Sequence, residues 1–256
     1  DKIRGLMPEY DYIYLGDSAR CPYGPRSFEV VYEFTLQAVS KLFELGCPLV
    51  ILACNTASAK ALRTIQQINL PVIDATRRVL GVIRPTAECI GEITRSRHVG
   101  ILATAGTIKS ESYLLEIHKL SPDIVVTGEA CPMWVSLVEN NEYQSEGADY
   151  FVKQHINRLL DKDPMIDTII LGCTHYPLLL DKIRQFTPGH IRIIAQGEYV
   201  ARSLQDYLNR HPEMDARCEK GGKCRFLTTE SENKFEESAS IFLGRQDIKV
   251  ESIALE

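Results

Sequence analysis

The sequence predicts an α/β protein built as two pseudo-symmetric doubly wound parallel-sheet domains with the functional site between them. Three observations carry this. Short apolar runs alternate with segments of helical periodicity. Two distant stretches, "LVILACNTAS" (49–58) and "TIILGCTHYP" (168–177), read almost alike. A fainter echo joins "YLGDSARCPYG" to "ILATAGTIKSESY", each a strand followed by small and hydroxyl residues. Strands covered by helices on both faces are apolar at every position rather than at every second one. Their alternation with helices makes βαβ units.

Taken in order, the expected strands are "YIYL" (12–15), "LVILA" (49–53), "PVI" (71–73), "VGILA" (99–103), "IVVT" (124–127), "TIIL" (168–171) and "IRII" (191–194). Between them, Tyr32, Leu36, Val39 and Phe43 recur at helical spacing. Val152, Ile156, Leu159 and Leu160 form a second stripe, and Val200, Leu204, Tyr207 and Leu208 a third. Each stripe is read as core packing. Residues 1–95 together with 196–256 are expected to form the first domain, and 96–195 the second.

The chain has 256 residues, 45% of them hydrophobic, enough for one large or two small domains at roughly 100–200 residues each. The formal charge of −5 is spread without a basic stripe, so nucleic acid is not the expected direct partner. No apolar run approaches the roughly 18 residues of a membrane span, and "DKIRGLMPEYDY" lacks the apolar core of a signal peptide. A cytoplasmic location without membrane association is expected.

The eight cysteines show no disulfide framework and are expected to be reduced. Cys47 and Cys89 read as small core residues. Cys218 and Cys224 flank "EKGGK" and could be half a metal site, but no second pair accompanies them, so no metal is expected. Cys54 and Cys173 differ from these. Each ends a buried strand in the same local setting, with Asn55, Thr56, Thr174 and His175 beside them. Either cysteine alone could be a small residue filling a strand–helix joint. Two in register favour chemistry, because ligands of open α/β sheets sit at the carboxyl ends of the strands. Backbone N–H groups at a helix start favour thiolate, and His175 can exchange protons with Cys173. If the two halves face each other, so do the thiols. One could then remove a proton from a carbon while the other returns a proton from the opposite side, inverting the stereocentre. Neither a GxGxxG fingerprint nor a P-loop points to a nucleotide cofactor.

The segments "GDSARCPYGPRS" (16–27), "ACNTAS" (53–58), "GILATAGTIKSESY" (100–113), "CPMWVSLVE" (131–139) and "LGCTHYPLL" (171–179) resemble, in order, the glutamate racemases of the aspartate/glutamate racemase superfamily. The resemblance implies two α/β domains with the active site between them, a homodimer, and interconversion of L- and D-glutamate without a cofactor, supplying D-glutamate for peptidoglycan. It implies Cys54 and Cys173 as acid/base thiols, with His175 assisting. It also implies Tyr23, Gly24, Asn55, Thr56, Thr107, Glu139, Thr174 and His175 as residues lining the substrate site.

The chain departs from the family pattern in three places. The family opens with a strand ending in Asp-Ser-Gly, and that strand has no counterpart ahead of Asp1. Ser136 stands where proline is typical. Ala195-Gln196 stands where many members have Asp-Ser. Two other readings follow: a racemase or isomerase of another small carboxylate such as aspartate, or, if the opening motif is truly absent, a non-catalytic binding protein with a gyrase-type partner.

Overall fold

The computed structural model describes residues 1–243 and 248–255. Nine strands are present among them: β1 (Tyr12–Gly16), β2 (Leu49–Leu52), β3 (Arg78–Gly81), β4 (His98–Ala103), β5 (Val125–Ala130), β6 (Thr168–Gly172), β7 (Arg192–Ala195), β8 (Cys224–Thr228) and β9 (Val250–Ser252). They pair in three sheets, ordered β1-β8-β9, β2-β3 and β5-β4-β6-β7. Every pairing is parallel. The parallel α/β architecture is therefore the one expected.

The four-stranded sheet shows why its strands are apolar at successive positions. Val99, Ile101 and Ala103 of β4 and Ile170 of β6 pack with Ile83, Ala87 and Ile90 of helix Ile83–Ile93 and with Ile117 of helix Ser112–Leu120. Leu102, Ile169 and Leu171 point to the other face, against Val152, Ile156 and Leu159 of helix Glu146–Lys162. Each of the buried Val, Ile and Leu side chains among these contributes roughly 1.5–3 kcal/mol over an exposed one. β2 is clad in the same way. Val50 and Leu52 join Val39 and Phe43 of helix Phe28–Glu44, while Leu49 and Ile51 pack towards Leu204 and Leu208 of helix Gly197–Arg210.

Local signals set the helix limits. Ser27 caps helix Phe28–Glu44 by accepting from the Val30 N–H at 3.3 Å, and just beyond its end the chain turns through Gly46 at φ +93°, a conformation open to glycine. One expected strand is wrong. "PVI" (71–73) lies in the helical turn Leu70–Ile73, where Pro71 occupies the first turn and Val72 is 85% exposed. A proline costs no hydrogen bond in the first helical turn, and its fixed φ suits a helix. β3, β8 and β9 lie outside the expected strands. Cys47 and Cys89 are half-buried, Cys47 packed against the core cluster of Val39, Phe43 and Val50.

Candidate active site

β2 delivers Cys54 to the N-cap of helix Asn55–Lys60. β6 delivers Cys173, only 7% exposed, to the turn before the short 3-10 segment Tyr176–Leu179. Burial pushes both thiols above their ordinary range, Cys173 to about 12. The Thr56 and Ala57 N–H groups and the Thr56 hydroxyl pull Cys54 back towards thiolate, and the His175 N–H does the same for Cys173. The helix-terminus effect expected from sequence thus has the expected direction, but desolvation outweighs it.

Around Cys173 the side chains form a chain. His175 Nδ1 lies 3.7 Å from the Cys173 sulfur, and His175 Nε2 is hydrogen-bonded to Glu139 at the end of helix Pro132–Glu139. That contact holds the Glu139 carboxyl below its usual range. Thr174 is exposed beside them.

Around Cys54 the neighbours are buried and committed to one another. Thr56, Thr104 and Thr107 form a triangle of hydroxyls, with contacts of 3.0, 3.4 and 3.1 Å. Thr104 also caps helix Ala105–Lys109. The Asn55 amide donates to Gln196 Oε1 at 2.8 Å and accepts from the Tyr113 hydroxyl at 2.7 Å.

The segment 17–26 is strapped to this floor. The Gly106 N–H donates to the Gly24 carbonyl at 3.1 Å, and Lys60 donates to the Arg26 carbonyl. A Cβ at Gly24 would come within 2.9 Å of Thr104 Cβ, so this approach needs glycine. Tyr23 donates to Asp17, which also accepts from Arg20 and from Thr229 at 2.9 Å.

A profile of the Asp/Glu/Hydantoin racemase family matches residues 1–204. The chain belongs to this racemase family. It is 38% identical over 251 residues to a glutamate racemase of Bacillus cereus, covering 98% of this chain and 90% of that one. A glutamate racemase structure from Bacillus anthracis superposes with a TM-score of 0.89 at 34% identity, covering 99% of this chain and 91% of the other. One from Francisella tularensis, in complex with D-glutamate, superposes with 0.87 at 28% identity, covering 100% and 92%.

In this racemase the ten residues singled out from sequence fall into three connected groups: Cys173 with His175, Glu139 and the adjacent Thr174; Cys54 with Asn55, Thr56 and Thr107; and Tyr23 with Gly24. Sequence reading missed Asp17, Thr104, Tyr113 and Lys60: Tyr113 and Lys60 join these groups through tertiary contacts, whereas Asp17, six residues before Tyr23, and Thr104, the N-cap of the helix that carries Thr107, are local partners that spacing could have signalled. Gln196 belongs to the same network, joined to Asn55 and Tyr113. Cys218 packs with Met214 and Leu208 in an apolar cluster. Among the described residues no group of three or more His, Cys, Asp or Glu is placed to hold a metal. No described helix is long and apolar enough to cross a membrane.

Proposed function

We propose that this chain interconverts L- and D-glutamate by a two-thiol mechanism that uses neither pyridoxal phosphate nor metal, and that it supplies D-glutamate for peptidoglycan in the cytoplasm as a homodimer. The observation that carries the reading is the pair of thiols. Each follows a parallel strand, and the helix start that carries Cys54 is hydrogen-bonded to the strand ends of the sheet that carries Cys173, Asn55 to Gln196 at 2.8 Å and Thr56 to Thr104 at 3.0 Å. Family membership and the glutamate racemase relatives support the substrate.

Cys54 as thiolate takes the Cα proton from one enantiomer, leaving the electron pair on Cα. Cys173 then gives its proton to the opposite face, and the roles exchange for the other enantiomer. The thiols face each other across the bound substrate with sulfurs on the order of 6–9 Å apart, the span of a carbon with a hydrogen-bonded group on either side. Tyr23, Gly24, Asn55, Thr56, Thr107, Glu139 and Thr174 line the substrate site, and His175 moves the proton to and from Cys173. Residues 1–95 with 196–256 form one domain and 96–195 the other, a division supported by the separation of β1, β2, β3, β8 and β9 from the four-stranded sheet.

The test is optical rotation of purified protein mixed with L-glutamate, D-glutamate or L-aspartate, in chelator and without added pyridoxal phosphate. Both glutamate enantiomers should racemise and aspartate should not. Turnover of aspartate alone, or activity abolished by chelator and restored by zinc, would overturn the reading. Light scattering on the same sample should give twice the chain mass.

A further inference from the structure

Gln196 directly follows β7 and is 8% exposed. Its Nε2 faces three acceptors, the Val82 carbonyl at 3.2 Å, Thr86 Oγ1 at 3.0 Å and the Tyr113 hydroxyl oxygen, among which its two hydrogens are shared. Its Oε1 accepts from Asn55 Nδ2 at 2.8 Å. The Tyr113 hydroxyl closes the circuit by donating to Asn55 Oδ1 at 2.7 Å. Asn55 gives to Gln196, Gln196 gives to Tyr113, and Tyr113 gives to Asn55.

The polarity of this ring follows from one atom. The Val82 carbonyl can only accept, so the Gln196 NH2 must face it and the Gln196 oxygen must face Asn55. The Asn55 NH2 then faces Gln196, its oxygen faces Tyr113, and the Tyr113 proton has one place to go. All three side chains are buried, so reversing any one leaves donors against donors without water to relieve them.

We infer that Gln196, through this one-way ring with Tyr113, is a positioning residue for racemisation that fixes the Asn55 carboxamide beside Cys54. The inference rests on the two-thiol reading above for its kinetic consequence. Gln196 joins the strand end of the four-stranded sheet to the helix start that carries Cys54, so it also sets how Asn55–Thr56 meets the opposite thiol. The glutamine side chain reaches Asn55, Thr86 and Tyr113 together.

The test uses Gln196→Glu, which keeps the shape but cannot donate to the Val82 carbonyl when ionised, together with Gln196→Ala, Asn55→Ala, their double variant, and Tyr113→Phe, which opens the ring at another member. Gln196→Glu and Tyr113→Phe should each lose about tenfold or more in kcat/KM for glutamate, the effect of one buried polar group left unpaired, with the larger share in KM. Adding Gln196→Ala to Asn55→Ala should change kcat/KM less than about twofold, because Gln196 acts through Asn55. In 15N–1H spectra the Asn55 side-chain NH2 signals should move in both Gln196 variants and in Tyr113→Phe. Additive losses, near-normal kcat/KM in Gln196→Glu, or unmoved Asn55 signals would overturn the inference. A wild-type protein that leaves glutamate unchanged would sink the activity reading alone. The Asn55 signals would still decide whether Gln196 orients it.

Discussion

Glu139→Gln tests the chain of side chains behind Cys173. The substitution keeps the shape of Glu139 and removes its charge from His175. In the pair the Glu139 side chain is 38% exposed and the His175 side chain 21%, so solvent screens their attraction. An exposed pair is worth about 0.2–1 kcal/mol, and the amide still offers His175 a neutral hydrogen bond. The loss in kcat/KM should therefore stay within about tenfold. His175→Asn removes the imidazole itself. A positioned acid/base group contributes about 10²–10⁴-fold, and His175 acts through a sulfur contact of 3.7 Å, so about 100-fold is expected. The double variant should match His175→Asn, because Glu139 works only through the imidazole.

The assay is steady-state racemisation followed by circular dichroism between about pH 6 and 10. Glu139 is held below its ordinary range, so it stays ionised throughout and contributes no limb to the profile. Its share of stability is present above the unfolded carboxyl pKa and lost only as pH falls through the depressed one. Since the two enantiomers have equal free energy, kcat/KM must fall equally in both directions. A Glu139→Gln loss as large as that of His175→Asn, or a near-normal His175→Asn, would refute the chain.

Two further outcomes are expected. Asp167 accepts from the Thr94 and Thr168 hydroxyls at 2.7 and 2.8 Å and from the Arg95 and Ser96 N–H groups, both at 2.6 Å, and so has a depressed pKa. Asp167→Asn turns an amide NH2 on some of these donors and should cost about 2 kcal/mol in urea melts at neutral pH, a difference that should shrink as pH falls below the ordinary carboxyl pKa, where the unfolded chain takes up a proton that the folded Asp167 does not. The wild-type pH–rate profile should be bell-shaped with its rising limb on the alkaline side of neutrality, because burial raises both thiols while one must ionise and the other stay protonated. A flat profile from about pH 6 to 9 would contradict this.

The strands legible in the sequence were those with a continuous apolar run, including β1, where Tyr14 nonetheless faces solvent. β6, buried along its whole length, is the clearest. β3 escaped notice because it is four residues long and begins with an exposed arginine. β8 escaped because its Arg225 is exposed and the strand reads as neither a uniform run nor a clean alternation. Residues 71–73 misled in the other direction, since their apolar content signals burial while Val72 faces solvent. In the site, the thiols were legible because each sits beside its strand. Tyr113 and Gln196 were not, because they meet Asn55 across 58 and 141 positions, and no local pattern encodes such a meeting. The thiol pKa values were half legible. The helix-start N–H groups can be read from sequence, but the desolvation that outweighs them belongs to the folded interior.

The two-thiol claim is tested most directly by Cα proton–deuterium exchange in heavy water, with each enantiomer of glutamate, in Cys54→Ser and Cys173→Ser. A serine hydroxyl fills the same space and is a much weaker acid, so neither variant can complete the transfer. Net racemisation should fall by about 10³-fold or more. Proton removal should survive for one enantiomer only in each variant, and for opposite enantiomers in the two, because the remaining thiol reaches one face of Cα. Near-normal racemisation by either variant, or residual exchange of the same enantiomer in both, would contradict the account.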